Sequence, residues 1–338
     1  MTHAVYSYRF SYILLTILLI VIFIAELAFG SVSLSLPQLY AALIDPREGD
    51  IAAKILWSFR LPKACAALLA GVALSVCGVQ MQTLFRNPLA DPYILGISSG
   101  AGLGVALFVM GFATGTRLWM IDLGMATAAW VGALAVSFLV ISAAKRLQST
   151  ISLLILGIMI GSVGSAFISL LQYLSSAHTL KTYVMWTMGS FSDVGGTGLA
   201  IMALLVAAGL MLSVYNIKDL NVLLMGETYA KSLGVNTVAI KRRIFISTAL
   251  LAGSVTAFCG PIGFIGIAVP HLARMLFKNA NHKVLLPATA LLGALLMLFA
   301  DLVSQLPGSQ STLPINTVTA LLGIPVIIMI ILQNRTHE

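Results

Sequence analysis

A chain of 338 residues in which 59% are hydrophobic and 9% charged, with a mean hydropathy of +1.01, is too apolar for a soluble domain, where about a quarter of residues carry charge. The formal net charge of +8 does not point to nucleic acid, because the bases fall in short clusters between apolar runs and no basic stripe carries interleaved aromatics. Cys65, Cys77 and Cys259 all lie inside apolar runs, as small buried hydrophobes do, and form neither a disulfide framework nor a metal set.

The first apolar run, residues 10–29, is long for a secretory signal and lacks an Ala-x-Ala cleavage site, so it reads as a retained first helix. Glu26 sits near its outer end, either as a functional intramembrane acid or snorkelling to the rim. Further runs follow near residues 64–83, 93–113, 118–142, 151–174, 197–215, 284–300 and 317–332. Each matches the ~20 residues needed to cross a bilayer. Arg60-Leu-Pro-Lys63 opens the second span, where Lys63 can also snorkel to headgroups. Ala67, Gly71 and Ser75, then Gly96, Gly100 and Gly104, then Gly157, Gly161 and Ser165 recur at four-residue spacing, which permits close packing of helices within the chain.

Between the second and third spans stands Gln82-Thr-Leu-Phe-Arg-Asn-Pro-Leu-Ala-Asp-Pro-Tyr-Ile-Leu-Gly96. Asn87-Pro88 and Asp91-Pro92 each pair an N-cap residue with proline at the first helical position, so two helix starts are predicted. With Arg86 they form an elbow. Ser149, Thr150 and Ser152 open the fifth span, and their hydroxyls can cap it. The connection 216–243 predicts two short helices: Asp219 caps the first, Gly226 breaks it, Glu227 opens the second and Gly234 closes it. Glu227 and Lys231 are spaced to pair, and Glu227, Ala230 and Gly234 share one face, which reads as a close docking surface. An amphipathic helix lying on headgroups is the alternative.

The run 244–277 is interrupted by Cys259-Gly260-Pro261 and by Pro270, so it crosses once or twice. Two crossings, with the N-terminus inside, place Arg9, Arg86, Lys145, Arg146, Lys218, Lys231, Lys241, Arg242, Arg243, Arg274, Lys278, Lys283 and Arg335 inside, thirteen of 19 bases. One crossing leaves 9 inside and 10 outside and erases the usual bias. The expectation is an all-α polytopic protein of about ten transmembrane helices, one broken or short near Gly260-Pro261, with both termini cytoplasmic. His271 has no partner at ligand spacing, so no metal site is expected; with Arg274 it reads as inner-rim structure, in contact with headgroups or a partner.

The elbow, Arg60-Leu-Pro-Lys63, the loop motif Gly226-Glu227-x-x-Ala230-x-x-Leu233-Gly234, the stretch from Gly260-Pro-Ile-Gly to Arg274 and Leu313-Pro-Ile-Asn316 together resemble the FecCD family, the permease subunits of bacterial ABC importers for iron-siderophores, haem and vitamin B12. The resemblance runs from about residue 60 to the end. It implies one permease domain, 1–338, in the bacterial inner membrane, working as a homodimer with two ATP-binding subunits and a periplasmic or lipid-anchored solute-binding protein. ATP and Mg belong to the partner, and this chain carries no cofactor and no catalytic residue. It also implies ATPase coupling by Gly226, Glu227, Ala230, Leu233 and Gly234, and binding-protein docking by Arg60 and Lys63. Ser149, Thr150, Ser152, Gly260 and Pro261 become gate or pathway candidates, and His178 and Lys181 become candidates to meet a chelate at the entrance. Gln305 departs from relatives that carry arginine there. A secondary transporter driven by an ion gradient is the alternative, and it requires several buried ionisable groups. Walker A, His-Glu-x-x-His and Ser/His/Asp constellations are absent from the sequence.

Overall fold

The computed structural model describes residues 2–30, 34–44, 50–112, 118–144, 146–147, 149–305 and 312–334; Lys145 and Arg335 of the charge count lie outside them. In chain order the helices are α1 (Thr2–Ala28), α2 (Leu36–Ile44), α3 (Ile51–Ile55), α4 (Leu61–Phe85), α5 (Ile97–Ala106), α6 (Leu118–Ala144), α7 (Thr150–Leu174) and α8 (Ala177–Thr187). They continue with α9 (Gly196–Tyr215), α10 (Ile217–Leu224), α11 (Glu227–Ser232), α12 (Thr237–Cys259), α13 (Ile265–Phe277), α14 (His282–Ser304) and α15 (Ile315–Asn334). A wide π-helical turn, Leu56–Arg60, joins α3 to α4, and a 3-10 turn, Pro92–Leu95, leads into α5. Among the described residues there is no strand.

Six helices are long and apolar enough to cross a membrane, and Ile97–Gly111, Ile265–Phe277 and Ile315–Met329 are shorter apolar helices. α12 joins them by position. Lys241, Arg242 and Arg243 near its start depress its hydropathy, but the helix is packed between α4, α6 and α9. Thr248 and Thr256 return their hydroxyls to the carbonyls of Ile244 and Ala252, at 2.9 and 2.8 Å, which satisfies them inside the helix. The central rod that includes α4 is 78% buried over its most apolar window, against 17% for α1 and for α7.

The helix ends sort onto two faces. On one, Tyr8 and Tyr12 of α1 pack on Phe277 at the end of α13, and the Tyr12 hydroxyl donates to the Val284 carbonyl of α14 at 2.6 Å. The end of α4, the start of α7, helices α10 and α11 and the start of α12 gather there too. On the other, the end of α1 meets the start of α4 and the end of α14, and Ser190 bonds to Cys259 at the end of α12. The run 244–277 therefore crosses and returns, in agreement with about ten spans.

The break between α12 and α13 leaves backbone donors at membrane depth, which must find partners. The Tyr93 hydroxyl accepts from the Ile262 amide at 3.4 Å, and Asn316 Oδ1 accepts from the Gly263 amide at 3.0 Å. Pro270 cannot bond the carbonyl of Gly266 four residues back. Gln82 of α4 compensates: its Nε2 reaches the Gly266 and Ile267 carbonyls at 3.3 and 3.2 Å, and its Oε1 accepts from Arg274. Gln82→Leu is expected to cost about 1–3 kcal/mol, read as a lower thermal unfolding midpoint in detergent. Adding Pro270→Ala should recover part of that loss by restoring a helical donor, and no recovery would refute the compensation.

The small residues meet within the chain, Gly71 against Gly293 and Gly100 against Gly132. The closest approach is between α4 and α13, where a Cβ on Gly78 would lie 1.8 Å from the Gly266 carbonyl oxygen. Backbone cannot rotate away as a side chain does. Gly78→Ala should force the helices apart at a cost of about 1–3 kcal/mol, and an unchanged unfolding midpoint would contradict this contact.

Candidate functional site

The loop between α9 and α12 folds as two short helices split at Gly226, whose φ of 105° disfavours any side chain. Asp219 lies in the first turn of α10 but does not cap it; its carboxylate pairs with Arg243 at 2.5 Å. Gly234 closes α11 with φ 75°. Glu227 is the fixed point of the loop. Its carboxylate accepts from Thr150 at 3.0 Å, Lys241 at 2.9 Å and Thr237 at 3.4 Å, and Lys231 pairs with it at 3.1 Å. Partial burial raises its pKa, but the bonds from Lys241, Lys231 and Thr150 outweigh this and hold it below the ordinary carboxylate value. The tie is thus complete at neutral pH and is lost only as pH falls through that lowered value.

Of the face read from the sequence, Gly234 is exposed while the other two residues turn inward. Ala230 is fully buried and Glu227 turns into the bundle, so these residues anchor the loop. The exposed side carries Leu224, Met225, Tyr229 and Leu233, an apolar patch beside Gly234.

The elbow abuts this loop. Arg86 caps α4 in the left-handed region, φ 49°, and its guanidinium lies 3.3 Å from where a Cβ on Gly226 would stand. Only one of the two predicted helix starts forms. Asn87 Oδ1 accepts from the Leu89 amide at 2.9 Å, so Asn87-Pro88 makes an Asx turn, with too few residues before Asp91 for a helix. Asp91 caps the Tyr93 amide at 2.8 Å, and Pro92 seats on Gly266. At the start of α7, Ser149 accepts from the Ser152 amide at 3.4 Å, which is the capping role, whereas Thr150 belongs to the Glu227 tie.

On the opposite face Arg60 and Lys63, expected at a docking rim, are engaged within the chain. Arg60 is 9% exposed and donates to the Leu27 and Ala28 carbonyls at 2.6 and 2.8 Å. Lys63 bridges Asp301 at 2.9 Å and Glu26 at 3.4 Å. Glu26 does not snorkel: it is 2% exposed and receives Gln305 as a further donor. Buried charge demands such pairing, and here the chain supplies both signs.

Beside this cluster opens a cavity of about 760 Å³ lined by Lys63, Met125, His178, Lys181, Trp186, Phe258 and Asp301, among others. His178 and Lys181 stand on α8. Gly260 and Pro261 lie behind the wall; a Cβ on Gly260 would come within 2.5 Å of the Trp186 carbonyl oxygen. Among the described residues no group of three His, Cys, Asp or Glu is arranged to hold a metal. Arg274, read as inner-rim structure, bonds to Gln82.

Sequence reasoning missed Gln82, Tyr93 and, above all, His282, which is fully buried between Thr83 and Asn221. The available signal was three polar residues, Gln80, Gln82 and Thr83, crowded into the end of an apolar run.

Comparison with known proteins agrees with this architecture. The FecCD transport family model matches residues 18–333. The hemin transport system permease HmuU of Yersinia pestis is 36% identical over 326 residues, 96% of each chain. The vitamin B12 import permease BtuC of Klebsiella pneumoniae is 38% identical over 283 residues, 83% of each. A solved structure described as a metal-chelate-type ABC transporter in an inward-facing conformation superposes with a TM-score of 0.82 at 33% identity, covering 94% of this chain and 97% of that one. A family match over residues 18–333, with relatives 36% and 38% identical over most of their length, leads to one conclusion: the chain belongs to the FecCD transport family.

Proposed function

We propose that this chain is the permease subunit of an ATP-driven importer that accepts an iron chelate, haem or cobalamin from a solute-binding protein and releases it into the cytoplasm. One permease domain, 1–338, pairs with a second copy in the bacterial inner membrane, two ATP-binding subunits dock on residues 216–243, and ATP and Mg are held there. The basic residues Arg9, Arg86, Lys231, Lys241, Arg242, Arg243, Lys278 and Lys283 cluster at or near the elbow face, which supports a cytoplasmic assignment for it and for both termini.

The observation that carries this reading is the two-sided loop. Its apolar patch faces out, and its half-buried carboxylate is tied to the first residue of α7 and to α12. A partner that moves the patch must move those helices. The rival, an ion-driven transporter, gains buried ionisable groups from Glu26, Lys63 and Asp301, but these are paired with one another.

The test is uptake into proteoliposomes containing the permease, its ATPase and its binding protein, offered haemin, cyanocobalamin and a ferric siderophore in turn. Uptake of one of them that requires ATP is expected. Uptake driven by a proton or sodium gradient without ATPase or binding protein would overturn the reading.

A further inference from the structure

Helix α10 has its own connection to the bundle, separate from Glu227, and it runs through His282. The backbone amide and ring Nδ1 of His282 both lie at Asn221 Oδ1, at 2.9 and 2.8 Å, while Asn221 Nδ2 donates to Asn281 Oδ1 at 3.0 Å. A backbone amide can only donate, so it fixes which end of the Asn221 amide is oxygen. Nδ1 therefore carries the proton. Its Nε2 lies 2.9 Å from the Thr83 hydroxyl, whose single proton is shared between that ring nitrogen and the Val79 carbonyl at 2.8 Å. Thr83 is followed back by Gln82, which grips the carbonyls of Gly266 and Ile267 and the Arg274 guanidinium of the broken helix α13.

We propose that Asn221, His282 and Thr83 are positioning residues of a second coupling route, which carries displacement of α10 through α14 and α4 to α13, while Glu227 carries that of α11 to α7 and α12. The proposal rests on the importer reading of the loop. Both routes begin beside the same apolar patch; Asp219 also ties α10 to α12 through Arg243, but of the two routes only the one through His282 runs to α14 and α4.

A cargo-independent readout tests it. Met185 lines the cavity and is 58% exposed; Met185→Cys, with Cys65→Ser, reports cavity access through its reaction with a membrane-impermeant maleimide. In the complex with the ATPase subunit, the ratio of labelling rates with and without ATP is measured. The parent should show a clear ATP-dependent change; a parent without one overturns the importer reading and this proposal with it. His282→Asn keeps an amide where Nδ1 stood and His282→Gln keeps one where Nε2 stood. A relay needs both limbs, so each is expected to lose about five-fold of the ATP effect, as His282→Ala does. Near-parental ratios in either would reduce His282 to a space-filling group and overturn the route. Thr83→Val and Asn221→Ala provide the same test should His282 variants fail to fold: combined, they should lose no more than the worse single variant, and additive losses would refute a shared route.

Discussion

Alanine in place of Glu227 is expected to cut transport-linked ATP hydrolysis by about ten-fold while the permease still folds and binds its ATPase. The carboxylate is the one group in α11 that reaches both α7, through Thr150, and α12, through Thr237 and Lys241. Without it the helix keeps its apolar outer side and its seat through Ala230, so docking persists but displacement is no longer transmitted through this tie. Glu227→Gln should fall between, because an amide oxygen still accepts from the two threonines but brings no charge to Lys241 and Lys231. The measurement is the ratio of transport-stimulated to basal ATP hydrolysis in proteoliposomes. Equal ratios for Glu, Gln and Ala would eliminate the tie as a coupling element.

The sequence made the spans legible because a bilayer tolerates only long apolar helices, and the broken span because Gly260-Pro261 interrupts one. α12 was harder. Its first turns carry Lys241, Arg242 and Arg243, so the apolar run begins only at residue 244, and its threonines bond back to the helix inside the protein. The loop motif was legible and its orientation was not: the reading took the face with the anion as the docking face. At the end of a helical bundle the nearest neighbours are polar helix termini, so Glu227 turns inward and Leu224, Met225, Tyr229 and Leu233 are left outside. Pairings across long separations were the least legible. Nothing local marks Glu26 as a neighbour of Lys63 and Asp301, or His282 as a neighbour of Thr83, because only the packing of α1, α4 and α14 brings them together.

Lys63→Met is expected to destabilise the isolated permease by about 3–5 kcal/mol, the usual result of removing one member of a buried ion pair. The ammonium stands 2.9 Å from Asp301 and 3.4 Å from Glu26, carboxylates that are 2% exposed. Removing it leaves two acids side by side, with Arg60, which also holds backbone carbonyls of α1, as the nearby cation acting on Glu26, and Gln305 able to offer only a neutral amide. Asp301→Asn in the same chain should recover most of the loss, because one acid then faces one donor amide. The comparison also separates the two roles considered for Lys63. A residue that serves only to dock a partner makes no difference to a chain studied alone, so an unchanged unfolding midpoint for Lys63→Met would return it to the rim. A large loss, rescued by Asp301→Asn, makes the cluster a clamp that holds α1 and α14 to the start of α4, on the face where the cavity opens.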